Sequence, residues 1–246
     1  MIEFKDVSFT YDSGNKNAGI YNINLNIKEG EIFGILGTNG AGKTTTLRII
    51  STLLKPTSGT VEVNGLDTVK NGEKVREKIG FLTSEIKLDP NFTPDYLFDF
   101  FGELRNVPKA TIKERKEKLF SYFGIDDFKH KKIEELSTGM KQKAAIAVSL
   151  MHNPEIIIFD EPTSGLDIIT AKSVLDYIKE LKSENKTIIM STHNMTEAEK
   201  VCDRIGIIID GKLVFHGTID EVVEKTDAKD LEEAFFKLYS NEKGED

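Results

Sequence analysis

The length, composition and charge of the chain limit the classes of protein to which it can belong. Its 246 residues are enough for one sizeable α/β domain with a smaller inserted lobe, and its 39% hydrophobic and 30% charged residues are ordinary for a soluble globular protein. The formal net charge of -8 provides no general basic field, so nucleic acid is not an expected partner.

Cysteine content and hydropathy indicate the cellular compartment in which the protein is expected. The single cysteine, Cys202, excludes an intrachain disulfide and favours a reducing environment. The first residues lack the charged and apolar regions of a secretory signal, and every apolar run is far shorter than the roughly 20 residues of a transmembrane helix. We therefore expect a cytoplasmic protein that reaches a membrane only through a partner.

An antiparallel β layer is predicted near the N-terminus. Ile23, Leu25 and Ile27 alternate with polar residues, as in a strand with one buried face. Residues 2–9 and residues 61–65 have a similar strand character.

The strongest motif is a glycine-rich loop between an apolar run at residues 32–36 and a helical pattern at residues 43–51. Glycines let backbone N–H groups approach phosphates, and the helix N-terminus adds positive potential. Lys43 supplies a charge to the β- and γ-phosphates, and the Thr44 hydroxyl is a ligand for Mg²⁺. The predicted nucleotide-binding residues here are Gly37, Thr38, Asn39, Gly40, Ala41, Gly42, Lys43, Thr44 and Thr45.

The middle of the chain, about residues 85–151, has no convincing strand and is predicted to be helical. Thr93 is a suitable N-cap before a proline at the first helical position. Leu97, Phe101 and Leu104 follow at helical spacing and are expected to form the core of this part.

A parallel sheet is predicted from four nearly continuous apolar runs, at residues 32–36, 156–159, 187–191 and 205–209, with helical patterns between them. The second run ends in two acidic residues. Asp160 would lie beside the phosphates as a Mg²⁺ ligand, and Glu161 would polarise the attacking water as a general base.

The last part of the chain, residues 218–246, is predicted to be a short helical extension. Thr218 and Glu221 form a capping-box pattern. Leu231, Phe235 and Leu238 mark a second short helix.

A phosphate loop and an acidic strand end also occur in kinases, GTPases and helicases, so further motifs are needed. The segment at residues 136–142 resembles the signature motif of ABC-type ATPases, and residues 164–167 resemble that family's D-loop. His193 resembles its switch histidine, and Tyr11 resembles its adenine-stacking aromatic residue. Without the other motifs, a single histidine is more often a structural residue than a catalytic one. A tyrosine at a strand end is likewise often just a half-buried residue without a ligand.

The resemblance implies a fold, a ligand set and partners. The fold class is α/β, a P-loop NTPase core with a parallel sheet, an N-terminal antiparallel β layer and an inserted helical subdomain. An ATPase domain at residues 1–217 would contain the helical subdomain at about residues 85–151. The ligands would be ATP and Mg²⁺, with Glu161, His193 and Lys43 as the catalytic residues.

The family also binds two ATP molecules between two such domains, so an ATP-dependent homodimer is expected. The loop of one copy would face Ser137, Gly139 and Met140 of the other, and Ser137 is a suitable N-cap for the apolar helix that follows. The other partner would be an integral membrane permease, which places the chain on the inner face of the cell membrane. Phe92, Tyr96 and Phe100 are candidates for the groove that receives the permease.

Departures from the family pattern indicate the group of transporters that the chain resembles most. Thr138 and Met140 replace the usual Gly and Gln, and Val148 stands where many members have arginine. Ser84 takes the position of a glutamine that usually reaches Mg²⁺, and Glu85 is a candidate metal ligand in its place. These segments resemble ATP-binding subunits of Nat-type sodium-efflux transporters and, more broadly, bacterial multidrug exporters.

Two other function classes compete with this interpretation. A non-transport ABC ATPase acting on nucleic acid or ribosomes would usually carry two ATPase domains or a long coiled coil. A small-molecule P-loop kinase or GTPase would need neither the signature segment nor a partner domain.

Overall fold

The computed structural model describes residues 1–11, 19–83 and 88–244. Its elements, in chain order, are β1 (Ile2–Thr10), β2 (Gly19–Ile27), β3 (Ile32–Leu36), α1 (Lys43–Ile50), β4 (Ser58–Val63), β5 (Leu66–Asp67), α2 (Gly72–Lys78), β6 (Ile79–Thr83), α3 (Pro94–Leu104), α4 (Lys109–Phe123), α5 (Thr138–Leu150), β7 (Ile156–Asp160), α6 (Ile168–Ser183), β8 (Thr187–Thr192), α7 (Met195–Val201), β9 (Arg204–Ile209), β10 (Lys212–Gly217), α8 (Ile219–Thr226) and α9 (Leu231–Lys243).

The predicted antiparallel layer is confirmed as a four-stranded sheet in the order β2-β1-β4-β5. Phe4 on β1 lies opposite Leu25 on one side and Val61 on the other. All three are buried, because alternate residues of each strand face the same side of the sheet.

The second sheet has the order β10-β9-β3-β8-β7-β6, in which all neighbours are parallel except β10 with β9. The predicted α/β fold class is therefore confirmed. Strand β6, which contains Gly80, was not among the predicted strands. That glycine allows close packing, since a Cβ there would lie 2.7 Å from the Pro154 ring.

The strand order of the second sheet brings the predicted functional residues to one edge. Strands β3, β8 and β7 are adjacent and parallel, so their carboxyl ends meet at one edge of the sheet. The glycine-rich loop, Asp160 and His193 each lie at or just beyond one of those ends.

Helices α3, α4 and α5 lie between β6 and β7, as the helical prediction for this part required. The Thr93 cap is confirmed, since its Oγ1 accepts a bond from the Tyr96 backbone N at 3.2 Å. Leu97 is buried and Phe101 is half-buried against the core, but Leu104 is 63% exposed, so its assignment to the core was wrong. Burial on this face falls along α3, and Leu104 is the last residue of the helix.

The C-terminal helices pack on the main sheet. The Thr218 and Glu221 capping box is present, and Leu231 and Phe235 are buried in a cluster with residues of β9. In the described ranges no helix combines the length and apolarity that crossing a membrane requires.

Candidate functional site

The glycine-rich loop connects β3 to α1 and curls around the N-terminus of that helix. Gly40 and Gly42 have φ angles of 82° and 112°, which residues with a Cβ rarely adopt. A Cβ at Gly37 would lie 2.4 Å from the Ile208 carbonyl oxygen, so this position also requires glycine. The loop conformation therefore depends on the glycines that define the motif.

The loop borders a cavity of about 280 Å³, called here the P-loop cavity. Its lining consists of Tyr11, Gly19, Thr38, Asn39, Gly40, Gly42, Lys43, Thr44, Thr45 and Glu161. Gly37 and Ala41 belong to the loop but not to this lining. Gly19 was missed by sequence reasoning, because nothing in the sequence places the start of β2 beside the loop.

Three predicted catalytic side chains meet at one carboxylate oxygen. Glu161 Oε1 lies 3.3 Å from Lys43 Nζ and 3.3 Å from His193 Nδ1. Lys43 is only 5% exposed and also donates to the carbonyl oxygens of Gly37, at 2.8 Å, and Thr38, at 3.2 Å. Oxygen atoms of the protein therefore take the place of water around the buried ammonium.

Ser191 links the two acidic residues at the end of β7. Its hydroxyl donates to Asp160 Oδ1 at 2.5 Å and accepts from the Glu161 backbone N at 3.0 Å. Glu161 has a φ of 52°, a left-handed conformation that costs a non-glycine residue about 1–3 kcal/mol. Sequence reasoning missed Ser191, although its place two residues before His193 was a usable signal.

The residues present fit Mg²⁺ held together with a nucleotide. In the described part of the chain, no cluster of three or more His, Cys, Asp or Glu side chains is arranged to hold a metal by itself. Mg²⁺ usually takes one or two protein ligands and completes its shell with phosphates and water. The Thr44 hydroxyl and the carboxylate of the buried Asp160 are oxygen groups of the kind that Mg²⁺ prefers, and their role as its ligands stays a prediction. Glu85 lies outside the described residues and also stays a prediction.

The signature residues lie apart from the P-loop cavity. Ser137 caps α5 by accepting from the Met140 backbone N at 3.3 Å, as predicted. Gly139 packs against α6, where a Cβ would lie 3.2 Å from Thr170 Oγ1. Thr170 in turn donates to Asp167, and this bond lowers the pKa of the Asp167 carboxyl.

Tyr11 lies at the P-loop cavity with its hydroxyl oxygen 3.2 Å from Thr45 Oγ1. Its ring packs edge-on against Phe9, with ring centroids 4.8 Å apart. The structure thus brings Tyr11 to the nucleotide-binding loop, and stacking on adenine stays a prediction.

The residues expected to form the permease groove are exposed aromatic side chains on and just before α3. The rings of Phe92, Tyr96 and Phe100 stack, with successive ring centroids 4.6 Å and 6.0 Å apart. A cavity of about 310 Å³ does lie beside β6, and Phe101 rather than those three lines it.

Comparison with known proteins places these features in a family context. The family described as ABC transporter matches residues 20–164. The ABC transporter ATP-binding protein NatA of Bacillus subtilis (strain 168) is 39% identical over 237 residues, which cover 96% of each protein. The methionine import ATP-binding protein MetN 1 of Shouchella clausii (strain KSM-K16) is 38% identical over 228 residues, 89% of this chain and 65% of that protein.

Solved structures agree with this result. A structure described as the ATP-binding subunit of an ABC transporter has a TM-score of 0.88 and 27% identity, covering 97% of this chain and 99% of the other. The dimeric post-hydrolysis structure of the ATP-binding cassette MJ0796, bound to ADP and Pi, has a TM-score of 0.79 and 32% identity, covering 89% of this chain and 98% of the other.

Proposed function

We propose how this chain couples ATP hydrolysis to transport. It belongs to the ABC transporter family, as one of its ATP-binding, ATP-hydrolysing subunits. In this role the P-loop cavity binds ATP with Mg²⁺ and Glu161 activates the attacking water. Hydrolysis then drives a membrane permease that exports its cargo, with sodium as the first candidate and multidrug-type cargo as the second.

The observation that carries the catalytic part is the shared contact of Glu161 Oε1 with Lys43 Nζ and His193 Nδ1. When phosphate oxygens take the Lys43 ammonium, the carboxylate loses that contact and becomes available to accept a hydrogen from water. His193 then holds the carboxylate from the other side or contacts the γ-phosphate directly. Positioning and charge stabilisation of this kind supply most of the catalysis in phosphoryl transfer.

The Mg²⁺ part of the proposal concerns two side chains. Thr44 would contribute its hydroxyl, and Asp160 would contribute a carboxylate whose orientation is fixed by the bond from Ser191. When bound, Mg²⁺ neutralises charge on the phosphate oxygens.

A second copy would complete the site. Subunits of this family dimerise and act with membrane permeases. The α5 N-terminus, with Ser137, Gly139 and Met140, does not line the P-loop cavity of its own copy. A head-to-tail partner would bring these N–H groups to the γ-phosphate, where a helix N-terminus favours negative charge.

The transport part rests on similarity. The resemblance to NatA extends over nearly all of both chains, and residues 80–85 and 137–143 carry the resemblance to sodium-efflux subunits. Export is therefore our proposal, although a methionine import protein has nearly the same identity. The chain would act on the cytoplasmic face of the cell membrane, held there by its permease, without binding nucleic acid.

The test uses inside-out membrane vesicles from cells that express the chain together with its permease. ATP should drive uptake of ²²Na⁺ into these vesicles, and vesicles with Glu161→Gln should show none. ATP hydrolysis without ²²Na⁺ uptake would exclude sodium, and ATP-driven uptake of a lipophilic dye would then favour multidrug-type export. Wild-type protein that binds ATP but never hydrolyses it would contradict the catalytic part.

A further inference from the structure

A cavity near the start of β7, called here the α4–α6 cavity, lies away from the catalytic residues. It has a volume of about 170 Å³ and lies between α4, α6 and the connection from α5 to β7. Ile157 of β7 lines it, whereas Asp160 ends that strand on the catalytic side. It shares no lining residue with the P-loop cavity. Its polar lining residues are Arg115, Lys118, Asn153, Tyr177, Glu184 and Lys186.

Positive charge exceeds negative charge in this lining. Arg115, Lys118 and Lys186 are cations, and Glu184 is the only carboxylate among the described lining residues. The Glu184 carboxylate is already paired, because its Oε1 lies 2.5 Å from Lys118 Nζ. Two cations of the lining are therefore left without an opposite charge.

These two cations contact only neutral oxygen atoms of the described residues. Arg115 Nη1 donates to the Met151 carbonyl oxygen at 2.9 Å, and Lys186 Nζ donates to Asn153 Oδ1 at 2.7 Å. Burial lowers the pKa of the Lys186 ammonium, and the positive charge of Arg115 lowers it further, although Glu184 acts in the opposite direction. An anion in the cavity would oppose this shift, because an opposite charge nearby favours the charged form.

The Tyr177 hydroxyl is a second, independent indication of a ligand. Tyr177 is only 5% exposed, and its ring packs against those of Tyr122 and Phe123, with centroids 4.7 Å and 4.8 Å away. Within the part of the chain that the structure describes, its hydroxyl has no hydrogen-bond partner. Burial raises the pKa of this hydroxyl, so it remains a neutral donor. Polar groups of buried side chains are usually hydrogen-bonded, and the open space that Tyr177 borders is the α4–α6 cavity.

The size of the cavity and the nature of its donors favour a phosphate group. A water molecule takes about 30 Å³ of liquid volume, so the cavity has room for a small oxyanion but not for a nucleotide. Arginine, lysine and a hydroxyl donor approach from α4, α6 and the connection before β8. A tetrahedral phosphate can accept hydrogen bonds from several such directions and carries nearly two negative charges, whereas a carboxylate carries one.

We propose that the α4–α6 cavity is a binding site for a compact phosphate group, held by Arg115, Lys186 and the Tyr177 hydroxyl. The group is inorganic phosphate or the phosphate of a small metabolite, and both present the same oxygen atoms to these donors. The bound group links α4 to α6. The site is separate from that of ATP hydrolysis, so this inference does not rest on the proposed function.

The test measures binding to the full chain by isothermal titration calorimetry at constant ionic strength. The P-loop cavity is first saturated with a non-hydrolysable ATP analogue, so that added phosphate does not bind there. Inorganic phosphate should bind with a dissociation constant below about 1 mM. Methyl NMR shifts at Leu119, Ile157 and Leu181, which line the α4–α6 cavity, should locate it.

Glycerol 3-phosphate, titrated in the same way, distinguishes the two sources of the phosphate group. Tighter binding than that of inorganic phosphate would identify a phosphorylated metabolite as the ligand. Weaker binding would identify the free ion.

Tyr177→Phe is the most specific variant, because it removes a hydroxyl that has no partner to lose. It should weaken phosphate binding on the order of ten-fold and leave the melting temperature unchanged. Tyr122→Phe is its matched control, since Tyr122 packs on Tyr177 but does not line the cavity, and it should keep the wild-type affinity. Lys186→Gln should also weaken binding about ten-fold, whereas Lys113→Gln, at an exposed position on α4 outside the lining, should not.

Four results would overturn the proposal. They are no saturable binding up to about 10 mM phosphate, acetate binding as tight as that of phosphate, methyl shifts confined to the P-loop cavity, or a folded variant of Tyr177 or Lys186 with unchanged affinity. If Lys186→Gln fails to fold, the comparison of Tyr177→Phe with Tyr122→Phe decides the question.

Discussion

The P-loop cavity and the cavity beside β6 differ in the groups that contact their positive charges. In the P-loop cavity the Lys43 ammonium is buried and contacts two carbonyl oxygens and Glu161. The cavity beside β6 is lined by Arg76 and Arg105, which among the described residues donate hydrogen bonds only to neutral oxygens. The first site gathers its predicted catalytic side chains from one chain, and in our proposal a second copy adds the signature residues. The two arginines of the second site have no carboxylate partner among the described residues.

The largest effect is expected from a change to the Glu161 carboxylate in the P-loop cavity. Glu161→Gln should keep ATP binding but slow turnover on the order of 100-fold or more, because the amide cannot accept the proton of the attacking water. Steady-state phosphate release and ATP binding, measured on the same protein, check this. Glu155→Gln is the control, since Glu155 precedes β7 at its other end and pairs with Lys78. Similar losses in both variants would contradict a specific role for Glu161.

Lys43→Ala removes the cation of the first site. The dissociation constant for ATP should rise about 10- to 100-fold, because hydrogen bonds to a charged group contribute about 1.5–3 kcal/mol. Calorimetric titration with a non-hydrolysable ATP analogue measures the change. Lys55→Ala, at an exposed lysine outside the cavity lining, should leave the affinity unchanged. Unchanged affinity in Lys43→Ala would show that the ammonium does not contact the nucleotide.

Ser191→Ala tests whether the Ser191 hydroxyl, which contacts both Asp160 and Glu161, is needed to orient these acidic residues. Loss of the hydroxyl leaves the buried Asp160 without its donor and should lower the free energy of unfolding by about 1–3 kcal/mol. The Mg²⁺ concentration for half-maximal turnover should also rise about ten-fold, as expected for removal of a group that orients a metal ligand. Ser183→Ala, on the exposed end of α6, should change neither quantity. A stability loss with an unchanged Mg²⁺ requirement would assign Ser191 a purely structural role.

A pH effect on stability is expected at His152, which lines the cavity beside β6. Burial lowers the pKa of its imidazole from the ordinary 6.5 to about 4, so folding favours the neutral form. The stability that this provides is complete above pH 6.5 and is lost as the pH falls from 6.5 towards 4. At pH 5 the loss should be about 2 kcal/mol, and His152→Gln should lack this part of the pH dependence. Urea unfolding at pH 7 and pH 5 measures it, and parallel pH profiles would contradict a depressed pKa.

The features that the sequence predicted well are those encoded locally. The glycines of the P-loop, the caps at Thr93 and Ser137, and the apolar run before Asp160 each depend on a few consecutive residues. Strand β6 was missed because its pairing with β7 is made across more than 70 intervening residues. For the same reason, the lining of the cavity beside β6 and the contact of Ser191 with both acidic residues appeared only in the folded structure.

The central claim is that this chain forms half of a shared ATP site. The most direct measurement is gel filtration with light scattering of Glu161→Gln, with and without Mg-ATP. We expect a monomer without nucleotide, a dimer with Mg-ATP, and a return to the monomer when Ser137→Arg is added. A protein that binds Mg-ATP and remains monomeric at all concentrations would contradict the claim.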